Sequence, residues 1–335
     1  MTKRRSPASY DESDVRVRPG RGSRPRSKMR PAHRNATPGM VTAVDRGRYT
    51  CVVGDDERIV VAITARELGR KAVVVGDRVD LVGDVSGQEG SLARIVRVHP
   101  RTSVLRRTAD DDDPVERVIV ANASHLMIVT SIADPEPRPR LIDRCLVAAY
   151  DAGMTPLLCL TKSDLGDPAE LRRRYAPLDV PTVATSLDDD ARAELQGTLR
   201  DRTTVLVGHS GVGKSTLVNS LVPGSDRAIG EVNVVTGRGR HTSSSAVALQ
   251  LPQGGWVIDT PGIRSFGLAH VDPGAFIEAF PDLAAETERC PRGCTHSSAE
   301  SECALDDAVA ERRLDGERVE SYRRLLASRE RQSGD

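Results

Sequence analysis

Aromatic residues are scarce: three Phe, five Tyr and one Trp in 335 residues. Tyr49 is the one aromatic between residues 39 and 105. That excludes an aromatic platform for base stacking in this stretch, and leaves arginine and backbone shape for any contact with nucleic acid. No stretch of about 18 consecutive apolar residues occurs, so no membrane span and no membrane partner is expected. No apolar segment follows the basic residues near the start, so no secretory signal is expected. The compartment implied is reducing, where disulfides are rare. An excess of charge is also missing, with Lys+Arg and Asp+Glu both at 48.

The charge that is present is unevenly placed. Residues 1–38 hold eleven basic side chains against Asp11, Glu12 and Asp14, so the tail is about +8 and the rest about −8. Rich in Pro, Gly and Ser and poor in large apolar residues, this tail reads as disordered. Its charge suits a polyanion such as RNA. Residues 39–107 read differently. Five short apolar runs, Met40–Val44, Tyr49–Val53, Ile59–Ile63, Arg78–Val82 and Leu92–Val98, are separated by Gly and Asp turns. That spacing predicts an OB-type β-barrel, with an SH3-like barrel as the alternative.

An acidic linker at 108–117 precedes a change of texture. Over residues 115–270, apolar runs at Val118–Val120, Leu126–Ser131, Thr155–Leu160, Thr182–Thr185 and Thr203–Val207 alternate with helical patterns. These helices are Arg140–Tyr150, Pro168–Tyr175, Ala191–Leu199 and Lys214–Leu221; strands at Ala246–Gln250 and Trp256–Ile258 follow. Such alternation predicts a mostly parallel sheet with helices on both faces. Residues 271–330 read as helical and cysteine-containing, with helices at Ala304–Leu314 and Glu317–Ala327 broken at Gly316.

Gly208, His209, Ser210, Gly211, Val212, Gly213, Lys214, Ser215 and Thr216 form a G-x-x-x-x-G-K-[ST] phosphate loop between a strand and a helix. Glycines let backbone N–H groups wrap a phosphate at a helix N-terminus. Lys214 places a cation on the β/γ oxygens, and Ser215 offers a hydroxyl to Mg²⁺. Thr161-Lys162-Ser163-Asp164 selects the base, because a carboxylate accepts two hydrogen bonds from guanine and adenine offers no such donor pair. Thr185 and Ser186, after the next strand, are candidates for the other base edge. Asp259-Thr260-Pro261-Gly262 supplies a carboxylate toward Mg²⁺ and a backbone N–H toward the γ-phosphate. Ile263 stands where Ras-like switches carry a water-orienting Gln, so either intrinsic hydrolysis is slow or another group replaces that Gln. Gly237-Arg238-Gly239-Arg240-His241-Thr242-Ser243 reads as a basic switch segment, with Thr242 as a Mg²⁺ hydroxyl. In chain order the base motif precedes the phosphate loop, a circular permutation of the usual arrangement.

Cys290, Cys294, His296 and Cys303 put three sulfurs and one imidazole within 14 residues. That donor set and number predict a closed, tetrahedral, structural zinc site. Cys51, Cys145 and Cys159 lie in apolar runs and read as buried thiols.

Together these features resemble the RsgA (YjeQ) family of circularly permuted ribosome biogenesis GTPases, over residues 40–328. The resemblance rests on the barrel, the order TKSD, GHSGVGKST, DTPG, the GRGRHT segment and the Cys/His cluster. It implies an N-terminal OB-fold, a permuted P-loop GTPase domain and a C-terminal helical zinc-binding domain. It implies a cytoplasmic GTP hydrolase acting late in 30S assembly, stimulated by the subunit and contacting 16S rRNA. It implies one structural Zn²⁺, Mg²⁺ with the nucleotide, and a catalytic role for His241. The chain departs at Thr161, where Asn is common, at Ser243, where a second Thr is common, and in the spacing of the cysteines. A monomer is expected. The alternative to hydrolysis-driven action is a GTP-gated, non-catalytic RNA-binding placeholder; a P-loop kinase using ATP is a third reading.

Overall fold

The computed structural model describes residues 33–68, 73–108, 116–186, 191–224, 246–260, 268, 276–298 and 302–330. The chain divides into two units, Met1–Arg34 and Asn35–Asp335. Of the first, His33 and Arg34 are described. Most of the basic tail, most of the acidic linker, the GRGRHT segment, Pro261, Gly262 and Ile263 lie outside the described residues.

In the second unit, strands β1 (Thr37–Asp45), β2 (Arg48–Val53), β3 (Arg58–Thr64), β4 (Arg78–Gly83) and β5 (Ala93–Val98) close into a barrel. Its order is β1-β2-β3-β5-β4, and β4 pairs back onto β1. Every pairing is antiparallel except β3 with β5. This is the five-strand barrel expected. Alternate residues point inward, so Val41, Cys51, Val60, Ala62, Val79, Leu81 and Ile95 are fully buried in its centre.

Then come β6 (Val104–Thr108), β7 (Glu116–Ala121), β8 (His125–Ser131), α1 (Pro139–Asp151) and β9 (Thr155–Thr161). They are followed by α2 (Ala169–Tyr175), β10 (Thr182–Thr185), α3 (Ala191–Leu199), β11 (Thr203–Val207), α4 (Lys214–Leu221), β12 (Val247–Gln250) and β13 (Trp256–Asp259). The order β10-β9-β8-β11-β13-β12 is parallel throughout except for β12. One strand differs from expectation. Val118–Val120 lies outside this sheet, because β7 pairs antiparallel with β6, a strand the apolar pattern did not reveal. Barrel and sheet meet where β1 bridges β12 at Ala43 and Val247.

Both faces of the parallel sheet are apolar, as period-2 alternation of all-apolar strands requires. Met127, Val129, Leu157 and Leu206 pack with Leu195 and Leu199 of α3 and Leu217 and Leu221 of α4. On the other face, Leu126, Ile128, Leu158 and Val205 pack with Ile142 and Leu146 of α1. That second core continues into the C-terminal helices α5 (Pro281–Thr287), α6 (Ala304–Ala310) and α7 (Gly316–Glu330), through Leu283, Leu305, Tyr322 and Leu325. The scarce aromatics gather here. Tyr150, Phe276, Phe280 and Tyr322 pack with ring centroids 4.9–6.1 Å apart. Offset and edge-on rings at such distances add about 0.5–1.5 kcal/mol per pair beyond burial.

Helix α6 ends at Ala310, short of the expected Leu314. Arg312 takes a left-handed φ of 60°, and the amides of Arg313 and Leu314 both bond to the Ala308 carbonyl. That closes the helix end. Gly316 is not the break; it opens α7, whose first turn is capped by Asp315 Oδ1 accepting from Glu317 N at 3.1 Å. Among the described residues no helix is long and apolar enough to cross a membrane.

Candidate functional site

Strands β8, β9, β10, β11 and β13 all run in one direction, so the segments leaving their carboxyl ends gather at one edge of the sheet. Those segments are Ser131–Pro135, Thr161–Asp164, Thr185–Ser186, Gly208–Thr216 and Asp259–Thr260. The order β9-β8-β11-β13 sets the phosphate-loop strand between the strand of the DxxG motif and the pair that ends in the base motif.

The phosphate loop turns where only glycine fits. A Cβ at Gly208 would stand 2.3 Å from the Val129 carbonyl oxygen. Gly213 caps α4 with a left-handed φ of 86°. Ser210, Gly211, Ser215 and Thr216 are exposed, while Val212 is fully buried and anchors the loop. His209 is buried, and its Nδ1–H donates to the Ser210 carbonyl at 2.9 Å. The first amides of α4 therefore open onto solvent-facing side chains, an arrangement suited to an anion.

Lys214 Nζ donates to the Thr260 carbonyl at 3.1 Å and lies 3.5 Å from Asp259 Oδ1. Asp259 Oδ1 is buried and accepts no hydrogen bond among the described residues. A buried carboxylate oxygen with open lone pairs beside a phosphate loop fits a hard divalent cation such as Mg²⁺. Thr260 Oγ1 donates to the Leu206 carbonyl and so ties β13 to β11.

The base motif is laced to the phosphate loop. Thr161 Oγ1 lies 2.6 Å from the Val212 carbonyl and 3.2 Å from that of Thr130. Lys162 has a left-handed φ of 57°, and its Nζ donates to the Asp134 carbonyl. Ser163–Leu165 forms a turn of 3-10 helix that leaves Asp164 exposed at the rim. Thr185 pairs with Thr161 across β10 and β9 and is buried, with Ser186 half-buried beside it. Leu165, 54% exposed, is a large apolar side chain at the same rim.

A contributor with no sequence signal is Ser131–Pro135. Ile132 N donates to the Thr161 carbonyl at 3.0 Å, and a Cβ placed on Gly211 would come to 3.6 Å from Pro135 Cδ. Its contacts run largely through backbone atoms, which no motif encodes. His241, Thr242 and Gly262 lie outside the described residues, so their place at this edge is not defined.

A second cluster lies in the C-terminal region. The sulfurs of Cys290, Cys294 and Cys303 sit 3.5, 3.5 and 3.9 Å from His296 Nδ1, and the four ligand atoms all lie within 4.8 Å of one another. Bonds of about 2.3 Å to sulfur and 2.0 Å to nitrogen in a tetrahedron imply S···N edges of about 3.5 Å. The donor set and spacing therefore fit Zn²⁺. Backbone amides already point at the sulfurs, Ala304 N to Cys290 at 3.3 Å and His296 N to Cys294 at 3.4 Å. Burial pushes the Cys290 thiol up to about 11 and raises Cys303 as well. Cys51, Cys145 and Cys159 are buried elsewhere, each pushed up to about 12 by burial, and belong to no such cluster among the described residues.

A family model described as RsgA GTPase matches residues 98–269. A protein of Chlorobaculum parvum named small ribosomal subunit biogenesis GTPase RsgA is 37% identical over 303 residues, covering 87% of this chain and 97% of that protein. A protein of the same name from Pseudomonas aeruginosa is 41% identical over 268 residues, covering 77% and 76%. Among solved structures, the fold is similar to that of YjeQ from Thermotoga maritima, with a TM-score of 0.65 and 24% identity over 88% of this chain and 99% of that one. It is also similar to YloQ, described as a circularly permuted GTPase, with a TM-score of 0.65 and 21% identity over 92% of this chain and 100% of that one.

Proposed function

The chain belongs to the RsgA GTPase family, and on that premise we propose that it hydrolyses GTP to GDP and phosphate during late assembly of the small ribosomal subunit. The observation that carries the nucleotide reading is the tie between Thr161 and the Val212 carbonyl, which locks a guanine-selecting loop to a phosphate loop. Asp164, exposed at the rim, accepts the two guanine hydrogen bonds, and the Lys162 stem lies along the base. Thr185 and Ser186 close the other base edge. Residues 208–216 wrap the phosphates, and Lys214 neutralises the β/γ oxygens.

Ser215, Asp259 and Thr242 hold Mg²⁺, which when bound offsets phosphate charge. The Gly262 amide senses the γ-phosphate. His241 positions or polarises the attacking water, a role that Ile263 cannot fill. Cys290, Cys294, His296 and Cys303 hold one structural Zn²⁺, which orders a segment too small to build its own core.

The partners in this reading are the 30S subunit and its 16S rRNA, reached by the barrel of residues 39–107, the zinc-binding region of 271–330 and the basic tail of 1–38. The nucleotide domain, 115–270, is stimulated when they dock. The protein acts in the cytoplasm as a monomer.

GTP turnover with and without purified 30S subunits is the direct test. Stimulation is expected, and its absence would remove the ribosomal part of the reading. Asp164→Asn should weaken GTP and favour xanthosine triphosphate; an unchanged preference would reject the base assignment. Equal release from 30S with GTP and with a non-hydrolysable analogue would favour the placeholder reading instead.

A further inference from the structure

Helix α7 grips two parts of the molecule with neighbouring arginines. Arg323 Nε donates to the His296 carbonyl at 3.1 Å, and its two terminal nitrogens bond to Asp306 at 2.7 and 2.8 Å. It thereby fastens α7 to the Cys/His cluster and to α6. Arg324 reaches the other way. Its Nε donates to Asp143 Oδ2 at 3.2 Å, and its guanidinium carbon lies 5.7 Å from the centre of the Tyr175 ring. Asp143 stands in the second turn of α1 and is 3% exposed.

A carboxylate buried between two helices contributes little net stability, since desolvation offsets the attraction. Apolar residues would hold α1 to α7 as well. The placement of the pair therefore points to position rather than strength. Four residues before Asp143 is Pro139, the first residue of α1, whose carbonyl accepts from Tyr175 Oη at 3.2 Å. Glu136, Pro137 and Arg138 join it to the segment Ser131–Pro135, which borders both nucleotide loops. A Cβ placed on Gly211 would come to 3.6 Å from Pro135 Cδ, the Asp134 carbonyl accepts from Lys162 Nζ, and Ile132 N donates to the Thr161 carbonyl. A rigid helix transmits its register to its own N-terminal lead-in.

We propose that Asp143, held by Arg324, is a positioning residue for guanine nucleotide. It fixes α1 so that the Ser131–Pro135 segment holds Lys162 and the phosphate loop in binding geometry. Through α7 the same contact links the Cys/His cluster to the base-binding lysine. This inference rests on the guanine-nucleotide reading above.

The test is stopped-flow release of fluorescent mant-GDP from full-length, zinc-loaded protein. Asp143→Asn and Arg324→Gln should release it about three- to tenfold faster, as small register changes at a binding site do. Turnover at saturating GTP should change far less, because Lys162 contributes binding common to ground and transition states. Arg318→Ala is the comparator. Arg318 bonds to Asp179 at 2.8 Å and to the Pro177 carbonyl at 2.7 Å, and its removal should leave release unchanged. Wild-type release from folded, zinc-loaded Asp143→Asn and Arg324→Gln would overturn the proposal, as would equal acceleration by Arg318→Ala. If the buried variants fail to fold, Pro135→Ala loosens the same segment from outside the core; unchanged release there would also overturn it. A wild-type protein that does not hold mant-GDP would instead strike the guanine-nucleotide reading.

Discussion

Thr161 illustrates how one hydroxyl can join two motifs that are separate in sequence. It has a single proton and two carbonyls within reach, so the 2.6 Å contact to Val212 is the donated bond and the 3.2 Å contact to Thr130 the weaker one. Thr161 and Val212 are both buried, and water cannot replace the bond. Thr161→Val keeps the shape and removes the donor. It should cost about 1–3 kcal/mol of stability, the penalty for an unsatisfied buried carbonyl, and weaken GTP and GDP alike. Thr161→Ser should restore most of both. Urea unfolding with mant-nucleotide titration measures the pair of effects; a Val variant indistinguishable from wild type would show that the tie carries no energy. Gly208 gives a sharper case. The Cβ of Gly208→Ala would meet the Val129 carbonyl at 2.3 Å, a backbone atom that cannot swing aside. The loop must move, and nucleotide affinity should fall by about tenfold or more, since a displaced loop loses several phosphate contacts together. Unchanged affinity in a mant-GDP titration would mean that the loop relaxes without cost.

At the scale of elements, the strands with all-apolar runs and the helices with 3.6-residue spacing were legible, because burial on both faces leaves a strong pattern. The hairpin of β6 and β7 was not. Its first strand, Val104-Leu105-Arg106-Arg107-Thr108, has too few apolar residues for a period, and pairing decides its form. The end of α6 was also hidden, because Arg312 adopts a left-handed φ that sequence assigns to Gly or Asn far more readily. In the candidate site the phosphate loop and base motif were legible from side chains, while Ser131–Pro135 acts largely through its backbone. The Cys/His cluster was legible from donor type and spacing, but its grip on α7 through Arg323 was not. That grip makes a prediction about metal. Stripping the ion with a strong chelator should lower the melting temperature and expose Cys290 and Cys294 to thiol reagents, since the four ligands and two backbone amides would lose their organising centre. Melting and thiol reactivity that do not change after verified metal loss would assign the order of this region to packing alone.

For the whole molecule, the second core decides how separable the parts are. The sheet face formed by Leu126, Ile128, Leu158 and Val205 shares its buried cluster with α1, with Leu171 and Tyr175 of α2, and with Leu105 and Val120 of the β6–β7 hairpin. The same cluster takes in Phe276, Phe280, Leu283, Leu305, Tyr322 and Leu325, all beyond the nucleotide motifs in sequence. Circular permutation explains the need. Rejoining the chain so that β8 leads and β13 ends leaves the parallel order intact, but the segment after β13 must return across this face to shield it. The C-terminal region is thus part of the core beneath the nucleotide loops as well as the carrier of the Cys/His cluster. Phe280 is 1% exposed and touches three other rings, so Phe280→Ala should cost about 3–5 kcal/mol, read from urea unfolding. A chain ending at residue 270 goes further. It would strip the C-terminal side of that core at once and leave its apolar residues open to solvent, a patch of the kind monomers rarely tolerate. Such a chain should aggregate or populate a loosely packed state, even though every described nucleotide-loop residue remains. A truncated protein that stays monomeric by light scattering and binds mant-GDP as the full chain does would show that α1, α2 and the β6–β7 hairpin suffice, and that the permuted fold is closed without its C-terminal helices.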